Sequence, residues 1–283
     1  MKKRVDVLIV GNTTYDEIRY DEGGRVLYRI GGGVFHGSII FSKKSDINMT
    51  IVSNLTPHQH LFYKQYLDDR NIIAKYTNNV PFFKLVYGEK ARKVYLELKG
   101  QAIDDTLVPN MHFDIALIIP VYHEVSYNLL RRVKSISKIV ALDLQGLVRK
   151  TDEYGRVYLV SDASSFSFVK KADIIHATYE EIRAFTGKEN LNEALQTISD
   201  NYGDKIWIIT ESDNIIWIIA NSKIYHEKPP SVKPVDETGA GDAFLTAFAL
   251  RFYETFDVFK SVDYAKRVVA HKITRPMEPL IEI

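Results

Sequence analysis

The run "VKPVDETGAGDAFLTAFALRFYE" at 232–254 sets three small residues, Gly239, Ala240 and Gly241, directly before a carboxylate, Asp242, and then turns into an apolar helical pattern. Ordering small residues costs backbone entropy, so three in a row need a reason. With Phe244, Ala247, Phe248 and Phe252 on one face, the spacing predicts a helix beginning near Asp242. The amides of Gly239, Ala240 and Gly241 then lie at the positive end of that helix, where a phosphate can approach backbone that no side chain covers. Asp242 stands beside the bound anion, in reach of a hydroxyl that must lose a proton. The same residues also read as a turn capped by Thr238 or Asp242, and spacing alone does not separate the two. Two familiar phosphate loops are excluded. No Lys-Ser/Thr pair follows, and the third small residue of a dinucleotide fingerprint would fall on Phe244.

Such a site needs rigid elements around it. Short β-rich runs recur at 5–10 (VDVLIV), 49–53, 114–119, 138–143, 173–177 and 205–210, and most are continuously apolar, as in strands covered on both faces. Helical stretches at 124–137, 179–187 and 191–203 lie between them, with Glu124 as a helix-start residue. The alternation predicts an α/β fold: a doubly wound, mainly parallel sheet flanked by helices, in a single domain over 1–283. Two segments break the rhythm. Residues 15–33 read as a hairpin turning at Glu22, Gly23 and Gly24, and 81–100 as another turning near Gly88 to Ala91. Together, over 12–33 and 81–100, they predict a small β-sheet inserted as a lid, whose open edges suit a homodimer.

Composition narrows the function classes. The 283 residues are 46% hydrophobic, and 37 Lys+Arg against 36 Asp+Glu leave a net charge of +1, so no global field favours nucleic acid or an anionic membrane. Any anion must be held locally. Absence of cysteine excludes disulfides, thiolate metal sites and a cysteine nucleophile, and cytoplasm is the expected address. The first apolar run, 5–10, is broken by Asp6 and reads as a buried strand rather than a signal sequence or membrane span. His58 and His60, separated by one residue in a polar loop, lack metal-ligand spacing, so no zinc is expected.

"DETGAGDAF" resembles the C-terminal signature of the ribokinase-like, pfkB-type carbohydrate kinase family, with Asp236, Thr238, Gly239, Ala240, Gly241 and Asp242 all matching. The resemblance implies ATP-dependent phosphorylation of a hydroxyl on a small polyol, cyclitol or sugar, with Asp242 as general base and the amides of residues 239–241 as anion hole. Other segments follow in the family's order. In "VGNTTYDEI", Asp16 stands where the family binds acceptor hydroxyls; a solvated strand end is the bland reading. In "RIGGGVFHG", Gly31 and Gly32 match a Gly-Gly signature, Gly33 stands where ribokinase carries Lys, and His36 replaces Asn. These four would border the acceptor, and His36 argues against ribose.

"ADIIHATYEEIRAFTG" resembles the family's Asn-x-x-Glu segment, with Thr178 for the Asn and Glu181 implied in the Mg²⁺ shell through water; a first-turn helix Glu is its ordinary reading. "IITESDNIIWI" resembles the nucleotide-side turn, with Thr210 matching and Ser212 and Asn214 in place of glycines. Thr178, Thr210, Ser212 and Thr238 are thus implied beside ATP, while Lys266, where ribokinase has Asn, leaves base choice open. "ALDLQGLVR" is similar to the form of inositol kinases, so Gln145 and Arg149 are implied in acceptor binding and inositol is the favoured acceptor. Fructose-type sugars come second and nucleosides third, the latter needing a base pocket such as Phe82, Phe83 and Tyr87 could supply. Arg92 either covers the cleft from the lid or belongs to a solvated turn. A catalytically silent binding protein on the same fold is the alternative from another class.

Overall fold

Apolar runs without alternation need cover on two faces, and they receive it in the computed structural model, which describes residues 4–20, 26–88, 92–210 and 215–276. In chain order the strands are β1 Val5–Val10, β2 Thr14–Tyr20, β3 Val26–Gly31, β4 Ile47–Leu55, β5 Ile72–Tyr76, β6 Phe82–Tyr87, β7 Arg92–Leu98, β8 Phe113–Ile118, β9 Ser137–Asp143, β10 Arg149–Thr151, β11 Val157–Leu159, β12 Ile174–Thr178, β13 Ile206–Thr210, β14 Ile216–Ala220 and β15 Lys223–Glu227. The helices are α1 Gly33–Ile39, α2 Pro57–Tyr63, α3 Tyr127–Ile136, α4 Ala163–Lys171, α5 Tyr179–Thr186, α6 Leu191–Tyr202, α7 Ala240–Thr255 and α8 Val258–Thr274.

Nine strands form the main sheet in the order β15-β14-β13-β12-β9-β8-β1-β4-β5. It is parallel from β13 to β5, and β14 and β15 close one side antiparallel. Val7, Leu8, Ile9 and Val10 are all fully buried because alternate side chains enter two different cores. One core holds Phe35 of α1, Tyr63 of α2, Phe248 of α7 and Val262 of α8; the other holds Leu129 of α3, Phe168 of α4, Phe185 of α5 and Leu195 of α6. The doubly wound arrangement follows from that division. β5, β14 and β15 were not among the strands read from the sequence; β15 is an edge strand with no fully buried residue, so its apolar signal is weak.

The hairpins β2–β3 and β6–β7 join through a parallel β2–β6 pair into a separate four-stranded sheet, ordered β3-β2-β6-β7. Ile18, Phe83, Leu85 and Leu96 form its own small core with Val121. The turn positions Glu22, Gly23 and Gly24 lie outside the described residues, as do 89–91 of the second turn.

One predicted boundary is corrected. The helix expected over 124–137 begins at Tyr127, because Ser126 accepts the amide hydrogen of Leu129 and caps it. Glu124 is therefore not a helix-start residue. It is buried, and its carboxylate accepts from the amides of Asn12 at 2.9 Å, Val121 at 2.8 Å and Tyr122 at 2.8 Å, tying the loop after β1 to the loop after β8. Both loops border the site. Replacing Glu124→Gln should turn one acceptor into a donor facing buried amides, at a cost of about 2 kcal/mol or more, read as a lower urea midpoint.

Candidate active site

Parallel strands all end on one side, and in doubly wound sheets that edge forms a crevice. Here a cavity of about 260 Å³ opens there, lined by the ends of β9, β12 and β13, the loop before α7, the turn before α1, and the underside of the small sheet. Of the residues assigned above to the base, the anion hole, the acceptor, ATP and Mg²⁺, all but Gly31 and Ser212 line it. Gly31 lies directly behind Asp16. Ser212 lies outside the described residues, together with Asn214.

The loop before α7 is shaped by what it rests on. Gly239 caps the helix in the left-handed region, φ 73°, and a Cβ there would lie 2.1 Å from Cγ of His36. A Cβ on Gly241 would lie 2.7 Å from Cε1 of His176. The glycines thus admit two imidazoles beneath the backbone as well as opening it above. The helix begins at Ala240, two residues before the position read from the sequence, and this shifts the open amides. The amide of Ala240 donates to the carbonyl of Glu237 at 3.1 Å, whereas those of Gly239, Gly241 and Asp242 have no acceptor among the described residues. Asp236 braces the loop: its Oδ1 accepts from the amide of Thr238 at 2.9 Å and its Oδ2 from Nη1 of Arg29 on β3 at 2.5 Å. The hydroxyl of Thr238 is buried without a partner.

Asp242 faces the cavity from the first turn of α7. Burial, and the negative charge of Asp143, push its carboxyl up to about 7 against the pull of His176, Lys272 and Arg149. That is the range of a base working near neutral pH. Gly33 lies against it, since a Cβ there would fall 2.8 Å from Oδ1 of Asp242. The acceptor-side turn and the base are therefore neighbours. Across the cavity, Asp16 is buried and accepts from the hydroxyl of Thr14 at 2.7 Å. Burial raises its carboxyl above the usual range, opposed by Thr14, Arg29, Arg92 and Arg149. Gly31 has no room for a side chain because Oδ2 of Asp16 would lie 2.0 Å from its Cβ. His36 is buried and held near 3 by that burial and by Lys272 and Arg29, so its ring is neutral and its Nε2 has no partner.

A roof of two guanidinium groups completes this half. Arg149 donates to the carbonyl of Val121 at 3.2 Å and stacks over Phe83 at 5.7 Å, and Arg92 of β7 lines the same cavity. Phe82 and Tyr87 do not line it. Gln145 does, and its backbone N–H donates to Oδ1 of Asp143 at 2.9 Å.

Two residues with no prominence in the sequence act on the site: His176 lines the cavity, and Lys272 acts on Asp242 from α8. His176, near the end of β12, donates or shares a proton through Nδ1 with Oδ2 of Asp143 at 2.8 Å, and its Nε2 lies 3.4 Å from the hydroxyl of Thr210. Burial disfavours its charge, but Asp143, Glu181 and Asp242 together raise it above the ordinary histidine value. Only its alternation with Thr178 along β12, which sends both side chains to one face, could have marked it. Lys272 of α8 is buried with no partner for Nζ; burial lowers its ammonium while Asp236 and Asp242 support it. Helical spacing hid it, because it reads as a surface lysine.

Glu181 and Thr178 form a capping box at α5: the amide of Thr178 donates to Oε2 at 2.8 Å, and the amide of Glu181 to the threonine hydroxyl at 3.3 Å. The ordinary reading of Glu181 as a first-turn residue is thus true of one oxygen, while the carboxylate also lines the cavity. Among the described residues no three His, Cys, Asp or Glu side chains are grouped to hold a metal by themselves. Glu181 shares the cavity with Asp143 and Asp242 without forming a cage with them, which fits an ion that keeps most of its waters, as Mg²⁺ does.

Beyond the loop lies a second cavity, about 520 Å³, which shares Thr210, Glu237, Ala240 and Gly241 with the first. Ile216, Val232, Phe244, Val269 and Ile273 give it apolar walls, and Lys266, paired with Glu227 at 3.2 Å, stands at its side.

Comparison with known proteins shows what the chain is similar to. Residues 161–277 match the model of the pfkB family carbohydrate kinases, a stretch that includes Glu181 and the whole loop before α7. The resemblance drawn from the sequence holds at this level, on a ribokinase fold. The chain is 26% identical over 201 residues to 5-dehydro-2-deoxygluconokinase of Clostridium perfringens, a match spanning 66% of this chain and 58% of that protein's length. A pyrophosphate-dependent kinase in the ribokinase family, solved with a pyrophosphate analog and myo-inositol, superposes with a TM-score of 0.82 at 19% identity over 97% of each chain. Ribokinase from Thermotoga maritima superposes at 0.69 with 17% identity, covering 96% of this chain and 94% of that one. Among the described residues no helix is long and apolar enough to cross a membrane.

Two outcomes follow from the loop. Because folding lifts the Asp242 carboxyl from 3.8 to about 7, its ionisation opposes folding increasingly as pH rises from about 4 to 7. Asp242→Asn should therefore raise the melting temperature at pH 8 and leave it little changed at pH 4. Gly239→Ala, strained at φ 73° and driven into His36, should lose about 2 kcal/mol or more in the same scans.

Proposed function

We propose that the protein is a kinase that transfers a phosphoryl group from ATP to a hydroxyl of a small polyol, cyclitol or sugar, with myo-inositol the favoured acceptor. One observation carries this reading: Asp242, with its carboxyl near 7, the open amides beside it, and Asp16 share a single cavity. Asp16 holds the acceptor in the same cavity as Asp242, which takes the proton of the attacking hydroxyl as its oxygen bonds to phosphorus and the donor's bridging oxygen leaves. Gly239, Gly241 and Asp242 donate amide hydrogens to the charge that gathers on the phosphoryl oxygens. Mg²⁺, when bound beside Glu181, supplies further positive charge to the donor phosphates. The small sheet acts as a lid, with Arg92 and Arg149 above the acceptor and Val121 beneath its core, and it limits loss of the phosphoryl group to water.

The size and polarity of the first cavity support a sugar-sized acceptor. A nucleoside fits less well, because Phe83 alone of the three lid aromatics lines the cavity and its face is covered by Arg149. The second, apolar cavity supports a nucleotide donor, since a base needs a surface on which to rest. Pyrophosphate is the runner-up donor, favoured by the likeness to a pyrophosphate-dependent kinase. Exposed Tyr20, Val26, Tyr28 and Leu98 on the small sheet support a homodimer through the lid.

A matrix of ATP and pyrophosphate against myo-inositol, fructose, sugar acids and nucleosides, read by acceptor phosphorylation, tests the reading. Transfer from ATP to a cyclitol or sugar is expected, with kcat/KM rising about tenfold per pH unit below 7 and levelling above as Asp242 loses its proton. Asp242→Asn should lower kcat by about 10²-fold to 10⁴-fold with acceptor affinity kept. No transfer from either donor to any acceptor would leave a silent binding protein instead.

A further inference from the structure

His176 takes no part in the proton transfer to Asp242, yet it lines the first cavity beside Thr210 and Gly241, two residues that border the second as well. Its ring is fixed on three sides. Nδ1 is held by Asp143 at 2.8 Å, the edge at Cε1 lies against Gly241, and Phe244 stacks on the face at 6.4 Å with 24° between the planes. What remains is Nε2, whose neighbour is the hydroxyl of Thr210 at 3.4 Å, a residue that lines both cavities. Because an ionised carboxylate only accepts, Asp143 keeps the proton on Nδ1, and Nε2 becomes a donor whenever the ring is cationic. Three carboxyl groups act on it, Asp143 from β9, Glu181 from α5 and Asp242 from α7, and Arg149 lines the same cavity. The hydrogen bond from Nδ1 to Asp143 does most to favour the imidazolium, against the burial of the ring.

We propose that His176, held by Asp143 as an imidazolium, donates its Nε2–H jointly with Thr210 to a phosphate of the donor where it passes from the second cavity to the open amides of Gly239 and Gly241. Lys233 of the loop lines neither cavity, whereas the His176 ring lines the first and lies against Gly241 itself. The inference rests on the phosphoryl-transfer reading and adds to it a donor-contacting catalytic residue. Charge-assisted hydrogen bonds are roughly twice as strong as neutral ones, so the contact matters to donor affinity.

The test pairs two substitutions with a spectrum. In His176→Asn the amide mimics Nδ1, keeps Asp143 and loses the phosphate contact; in His176→Gln it mimics Nε2 and does the reverse. Calorimetric titration with pyrophosphate and with ADP should give a dissociation constant raised about tenfold or more by Asn and partly restored by Gln. In ¹⁵N-histidine-labelled wild-type protein, the signal absent from the Gln variant should shift on adding pyrophosphate, and its pKa should rise. Equal affinities for wild type and the Asn variant, an imidazole signal that pyrophosphate does not move, or no binding of either probe would overturn the inference. Should the variants fail to fold, the wild-type spectrum decides. A shifted His176 without phosphorylation of any acceptor would sink the kinase reading alone; an active kinase with an unmoved His176 would sink this inference alone.

Discussion

The site depends on a backbone pressed against two imidazole rings. Gly239 rests on His36 and Gly241 on His176, each too close for a Cβ, and the chain then leaves these rings as a helix. Asp242 emerges on the first turn, where carboxylates Asp143 and Glu181 already stand and where the balancing charges are His176, Arg149 and the unpaired Lys272. Its proton is therefore held into the neutral range by position, not by a hydrogen-bond partner. A loop with bulkier residues could neither rest on those rings nor expose its amides.

That loop is joined to both halves of the molecule. Arg29 of the small sheet pairs with Asp236, so the hairpin that carries Asp16 is braced against the loop that precedes Asp242. Glu124 holds the loops after β1 and β8 by their amides, and the capping box at α5 holds Glu181. Each brace is a carboxylate satisfied by backbone or guanidinium donors, which lets buried charge survive in a positioning role.

Much of the fold was legible because its strands are covered on both faces: uninterrupted runs such as "VDVLIV" and "KIVALD" have few other uses. Edge strands were harder. β15 alternates weakly and has no fully buried residue, and β5 is half exposed. Within the site, Asp16, the glycine turns and the loop before α7 stood out by motif. His176 and Lys272 did not, since a histidine in an apolar strand and a lysine late in a helix acquire meaning only from what lies across the cavity. Glu124 was misread for the same reason: its partners are backbone amides, one of them 112 residues away.

Residue order by itself determined the alternation of strands and helices, the two hairpins, and the small-residue loop before a helix that carries Asp242, because these follow from local spacing and burial along the chain. Tertiary structure decided which amides stay open, which charges surround Asp242, and that two cavities meet at Thr210 and Gly241. Those are distances between segments far apart in sequence, and a carboxyl's proton affinity or a cavity's lining exists only once such segments have packed together.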